Sequence, residues 1–404
     1  MEFFGRLVET GLPVRIEISD RRVARVVPMP SGARSVDGAD RWPWVAPALV
    51  DIQVNGYGGQ EFASDALTEE KIVDILRAFE RFGVARVCPT LTTESFDVHR
   101  HALRTIASLC GRSSHWARRI PGIHVEGPYI TSQDGARGAH PRRHCREPNW
   151  EEFQRLQEAA DGRIRILTMS PEFPDSPAFI ERVAATGVIV ALGHTSANPE
   201  QIRAAVDAGA RLSTHLGNGS HPTFQRFRNY LWPQLAEDRL MASLIVDGHH
   251  LTPDMVKVFV RAKTAQRCIL VSDVSGQAGQ PPGRYASPFC EVEILTTGRL
   301  VVAGQREIMA GASVPLSTGV ANVMRFAGLD LKSAVHMAAH HPAALLGMDS
   351  VDIQAGGPAT LFQFSLAEGS PGQDASGVHV HSVVIDGEVC VGTPWKPDSV
   401  GAEV

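Results

Sequence analysis

The sequence predicts an α/β protein, a (β/α)8 TIM-like barrel with a small β-sandwich domain built from both termini. Three observations carry that expectation. Eight compact apolar runs recur between Val45 and Asp273, stretches with apolar residues at three- and four-residue spacing separate them, and both chain ends revert to short alternating runs. Strands of a parallel sheet are covered on both faces and therefore read as continuous β-branched runs; eight of them joined by crossover helices meet the requirement of a closed barrel. A doubly wound open sheet is the competing architecture. The 404 residues are enough for one large barrel and a smaller companion.

Residues 1–45 open the chain with PVRIEI and RRVARVVPM, period-2 runs broken by Gly, Pro and Asp, and form the N-terminal part of the sandwich. Residues 46–348 form the barrel, whose strands are APALVDIQV, GVARVCPTL, IPGIHVE, RIRILTM, GVIVALGH, ARLSTHL, MASLIVD and RCILVSD. Helices are expected between them at TEEKIVDILRAFERF and in EQIRAAVDAG. In the latter Asn198 caps the orphan amides, Pro199 suits the first turn and Gly209 the exit. Beyond Asp273 come a Gly/Pro-rich loop, a strand-like pair in FCEVEILTTGRLVVAG, and two helical segments, Ser313 to Phe326 and Leu331 to Leu346. Residues 349–404 return to period 2 and complete the sandwich, with no pattern from Lys396 onward.

Composition removes several function classes. With 43% hydrophobic and 21% charged residues, and no apolar run near the roughly 18 to 20 residues that cross a bilayer, a membrane span is not expected. A net charge of −5 with interspersed signs offers no cationic face for nucleic acid. Six scattered cysteines without a CxxC pair, after a start lacking the basic and apolar segments of a signal peptide, point to free thiols in the cytoplasm.

The chemistry lies where polar residues fall within the eight runs. Asp51, Gln53 and Asn55 end or follow the first, Thr90 and Thr92 the second, His124 and Glu126 the third, His194 the fifth, His215 the sixth, Asp247 and His250 the seventh, Asp273 the eighth. Parallel strands in a barrel open their C-terminal ends on one face, so these groups converge there. A lone His at a strand end is more often structural than a ligand. Glu126, His194 and His215 together make a His₂Glu set, which suits a catalytic divalent cation such as zinc. His124, on the same face as Glu126, is a ligand, a neighbour or a packed ring. Asp273 has the type and place of a general base, or else of a cap or salt-bridge partner. No GxSxG elbow, phosphate loop or dinucleotide fingerprint is present, and GYGG is either a turn or a set of amides facing an anion.

The ordered set PALVDIQVNGYGGQEF, PTLTT, GIHVEGPYI, GAHP, GHTSAN, STHLGNG, IVDGHHL, LVSDVSGQAG and MAGASVPLSTGVANV, from Pro47 to Val323, resembles the N-acetylglucosamine-6-phosphate deacetylases of the amidohydrolase superfamily. The resemblance implies metal-dependent hydrolysis of the acetamide of an N-acetylated amino sugar, foremost N-acetylglucosamine 6-phosphate. Many amidohydrolases end the first strand in HxH and hold two metals, whereas these deacetylases often carry QxN, here Gln53 and Asn55. One divalent ion is therefore implied on Glu126, His194 and His215, zinc first and iron or manganese as alternatives, with Asp273 activating water. Further roles are implied for His140 in polarising the carbonyl and for Asn218, Gly219 and His250 in binding substrate. The chain departs after His215, reading THLGNGSHPTFQRFRNYLW where the family has a Gly-Arg-Pro-Gly-like stretch whose Arg crosses a homodimer to the sugar phosphate. Arg226 and Arg228 are the candidates to replace it. That departure leaves open an N-acyl amino acid, a cyclic amide or an unphosphorylated N-acetylhexosamine as the substrate.

Overall fold

Each of the eight apolar runs forms one barrel strand in the computed structural model, which describes residues 1–29, 42–287, 290–367 and 377–397. The strands are β1 (Leu49–Val54), β2 (Val84–Thr92), β3 (Ile123–Glu126), β4 (Ile164–Met169), β5 (Ile189–Leu192), β6 (Leu212–Ser213), β7 (Met241–Ile245) and β8 (Cys268–Val271). Their order in space is their order in the chain, and all neighbours run parallel. The ring closes between β1 and the end of β8. Asp273 N–H donates to Gln53 O at 2.9 Å, Asn55 N–H to Val274 O at 2.9 Å, and Ser272 N–H to the Asp51 carboxylate at 3.2 Å.

Alternation along the strands feeds two separate apolar layers. Val50, Ile52, Ile166, Ile269 and Val271 pack together in one cluster. Their neighbours Leu49, Leu167 and Leu270 join a larger cluster with the helix residues Ile72, Leu76 and Leu103. Burial on both faces is why most positions of these runs are apolar. Among the helices, Glu69–Glu80 is capped by Thr68, and Pro199–Asp207 carries a capping box in which Asn198 and Gln201 bond reciprocally. Gly209 leaves that helix at φ +115°, a conformation that favours glycine.

Two expectations change. The segment from Leu331 to Leu346 is two helices, Leu331–Ala338 and His340–Leu345, broken at Ala339. Pro342 has no N–H to offer the carbonyl four residues back, at Ala338, and its ring crowds that carbonyl. The strand-like pair after the Gly/Pro-rich loop is part of a four-stranded antiparallel sheet, Gly283–Ala286, Glu291–Ile294, Leu300–Val302 and Gln305–Met309, inserted between β8 and the helix Leu316–Ala327.

Both chain ends share one seven-stranded sheet. Its order is Glu388–Gly392, Val378–Ile385, Leu361–Leu366, Trp44–Pro47, Glu2–Leu7, Pro13–Ser19 and Arg22–Pro28. The join is the antiparallel pairing of Trp44–Pro47 with Leu361–Leu366. Of the patternless tail beyond Lys396, residues 398–404 lie outside the described residues. Among the described residues no helix is long and apolar enough to cross a membrane.

Candidate active site

The ends of β1, β3, β5, β6 and β8 open on one concave cleft. Glu126, His140, His194, His215, Asn218, Gly219 and Asp273, all expected site residues, line it. Three of them stand in an unusual backbone state for residues other than glycine: φ is +48° at His194, +27° at His215 and +49° at Asp273. Positive φ turns the side chain away from the strand direction, and such strain, of order 1–3 kcal/mol per residue, concentrates at functional sites.

Glu126 is the centre. Its Oε1 lies 2.8 Å from His215 Nε2, 3.2 Å from His194 Nε2 and 3.1 Å from Gln53 Nε2, and the two imidazole nitrogens are 3.2 Å apart. Burial would raise the Glu126 pKa, but the His194 and His215 contacts outweigh it and hold the carboxyl well below its usual range. Burial would likewise depress His215, yet Glu126 beside it raises its pKa.

For His194 and His140 the hydrogen bond on the far side of the ring decides which nitrogen is free to bind a metal. His194 Nδ1 faces Ala136 O at 3.0 Å, so its proton sits on Nδ1 and Nε2 presents a lone pair. That lone pair faces a carboxylate oxygen, a repulsive pairing unless a proton or cation lies between them. Tetrahedral ligands with bonds of about 2.0–2.1 Å stand roughly 3.3 Å apart, close to the spacing found here, so the three residues fit a zinc-like ion. His140 differs. Its Nδ1 accepts from Thr93 N–H at 3.4 Å, which leaves the proton on Nε2, 3.2 Å from His194 Nε2. Burial, then the neighbouring His194, pushes its pKa down to about 3. Although Glu126, His140 and His194 are close enough to hold an ion, His140 therefore suits a neutral N–H donor rather than a ligand.

Asp273 accepts from Asn55 Nδ2 at 2.9 Å. Burial, then the negative Glu126, raises its pKa to about 6, in the range of a general base working near neutrality. His124 resolves as a packed ring: Nδ1 meets Ile52 O at 3.0 Å and Nε2 meets Thr168 Oγ1 at 2.7 Å, so neither nitrogen is free for a metal.

Three expected substrate contacts do not line the cleft within one chain. The His250 ring is buried, with Nδ1 at 2.7 Å from Asp247 Oδ2. Arg228 pairs with Glu200 at 2.7 Å on the surface, and the Arg226 guanidinium lies over the Phe227 ring. The exposed Phe224 and Phe227 sit on that same loop, and the exposed Trp232 on the short helix Leu231–Ala236 that follows it. Conversely, the cleft includes Glu61, Ser275, Cys290, Val292 and Met309, which the sequence reading did not single out. Glu61 follows the GYGG turn, which forms a tight hairpin with Gly58 and Gly59 at positive φ. Its side chain accepts from Gly276 N–H at 3.2 Å, and burial pushes its pKa up to about 8.

No protein-family model matches the chain. It is 30% identical to the N-acetylgalactosamine-6-phosphate deacetylase of Escherichia coli O157:H7 over 382 residues, covering 93% of this chain and 94% of that one. It is also 30% identical to the human N-acetylglucosamine-6-phosphate deacetylase over 371 residues, covering 88% and 84%. Among solved structures, the Mycobacterium smegmatis N-acetyl-D-glucosamine-6-phosphate deacetylase, in complex with N-acetyl-D-glucosamine-6-phosphate, superposes with a TM-score of 0.81 at 27% identity, over 94% of this chain and 95% of that chain.

Proposed function

This chain belongs to the N-acetylglucosamine-6-phosphate deacetylase family of the amidohydrolase superfamily, and on that premise we propose that it hydrolyses the acetamide of an N-acetylhexosamine 6-phosphate to acetate and the amino sugar phosphate. N-acetylglucosamine 6-phosphate is the assigned substrate. The observation that carries the reading is the meeting of Glu126 Oε1, His194 Nε2 and His215 Nε2 within 3.2 Å of one another, in one cleft with Asp273.

Glu126, His194 and His215 would hold one divalent ion, zinc by the character of the donors, and that ion supplies Lewis-acid polarisation and a more acidic water. Asp273 takes a proton from the attacking water and passes it to the departing amine nitrogen, so it ends the cycle ionised as it began. Its hold on Asn55 fixes the carboxylate during both transfers. His140 Nε2–H donates to the carbonyl oxygen as negative charge builds there, and its low pKa keeps it a neutral donor throughout.

The phosphate needs a cation that one chain does not bring: among the described residues no lysine or arginine lines the cleft. Arg226 or Arg228 on the exposed loop supplies it across a homodimer in this reading. Free thiols at all six cysteines support a reducing, cytoplasmic setting. The test is acetate release from N-acetylglucosamine and N-acetylgalactosamine, each with and without the 6-phosphate, beside N-acyl amino acids and hydantoin rings. Turnover confined to the phosphorylated hexosamines is expected. Turnover of the amino acid or ring substrates alone would overturn the assignment.

A further inference from the structure

Away from the cleft, a second set of metal-type donors joins the terminal sheet to the barrel. Glu9 lies in the turn after Glu2–Leu7, a turn closed by Thr10 N–H and Gly11 N–H donating to Leu7 O. His336 is on the helix Leu331–Ala338 and His340 opens the next, so the break at Ala339 lies between them. Asp352 is in the connection to the strand Leu361–Leu366, where its backbone N–H and carboxylate both engage Ser350 Oγ.

Glu9, His336 and His340 converge, and Asp352 meets the last of them. His336 Nε2 is 2.6 Å from Glu9 Oε1, and His340 Nε2 is 2.8 Å from Asp352 Oδ1 and 3.9 Å from Glu9 Oε1. The two rings lie 4.0 Å apart at 32°, and the Glu9, His336 and His340 donor atoms all fall within 4.8 Å of one another. Both rings turn Nε2 toward carboxylates, His336 toward Glu9 and His340 toward Asp352 with Glu9 beyond it. We propose that Glu9, His336 and His340, with Asp352 flanking His340, form a second, non-catalytic site for a transition-metal dication, which fastens the terminal sheet to the last barrel helices. Two carboxylates balance the charge of the ion, and Lys332 sits on the other oxygen of Glu9, at 3.0 Å, outside the donor set. Paired imidazoles with carboxylates select zinc-like ions over magnesium or calcium, which favour all-oxygen shells. All four side chains are partly exposed, so an ion can reach them.

The experiment is calorimetric titration of Zn²⁺ into metal-stripped full-length protein. Two equivalents are expected in the wild type and one in His194→Ala/His215→Ala, which keeps only the new site. In that background Glu9→Gln and His340→Gln should each abolish the remaining equivalent and the rise in melting temperature that Zn²⁺ produces, while Mg²⁺ produces neither. In the otherwise wild-type chain the same two substitutions should leave deacetylation of N-acetylglucosamine 6-phosphate unchanged. A His194→Ala/His215→Ala protein that folds and binds no Zn²⁺, or a second equivalent that survives both substitutions, would show the cluster to be only a hydrogen-bonded network.

Discussion

At the scale of single residues, identity was legible and backbone state was not. Glu126, His194, His215 and Asp273 stand out because strand ends carry them, but nothing in the letters says that three of the four adopt positive φ. The same holds for His124, whose packed role depends on Ile52 O and Thr168 lying across the barrel. On the proposed mechanism Asp273→Asn keeps the shape and the proposed metal ligands but loses the base, so kcat should fall by about 10²–10⁴ with metal content unchanged by elemental analysis. His194→Ala should lose both bound metal and turnover. Glu61 allows a stability test on the metal-free protein. Its folded pKa, about 8, lies above the unfolded value near 4.5, so the protonated form is the one the fold favours. Its contribution is full below pH 4.5 and is lost as the pH climbs through 8. Glu61→Gln should therefore raise the melting temperature at pH 8, by a free energy on the order of a few kcal/mol, and change it little at pH 4.5.

Elements were read well where local chemistry is strong. All eight barrel strands and the Asn198-capped helix follow from continuous apolar runs and from a cap, a proline and a glycine in sequence. Asn198→Ala should cost about 1 kcal/mol in chemical denaturation, with KM unaffected, because the capping box satisfies amides at a distance from the cleft. Less legible were the inserted strands of residues 283–309, which are short and mostly exposed on one face, so they lack the full apolar signal of a barrel strand. Their Cys290, Val292 and Met309 nevertheless line the cleft, and a contact made by a sheet folding over a distant pocket leaves no periodicity to find. The break at Ala339 is a milder case: the apolar face runs through it, and only Pro342 marks it.

For the whole molecule, the barrel and the shared terminal sheet were both legible, whereas the role of the Arg226 loop was not, because within one chain its arginines meet Phe227 and Glu200 rather than the cleft. Arg226→Ala and Arg228→Ala should separate the two candidates: the residue that grips phosphate should raise KM for the phosphorylated sugar while leaving its unphosphorylated counterpart unaffected, and sedimentation should show a dimer. The seam between β1 and β8 has one further consequence. Asp273 is held by Asn55 and by Gln53 O, more than two hundred positions earlier in the chain, so the proposed general base has no fixed orientation until the first and last strands meet. A nascent chain whose eighth strand has not yet emerged therefore cannot assemble a working centre, however much helix it has formed. Upon dilution from denaturant, recovery of catalysis should lag behind recovery of the far-ultraviolet dichroism.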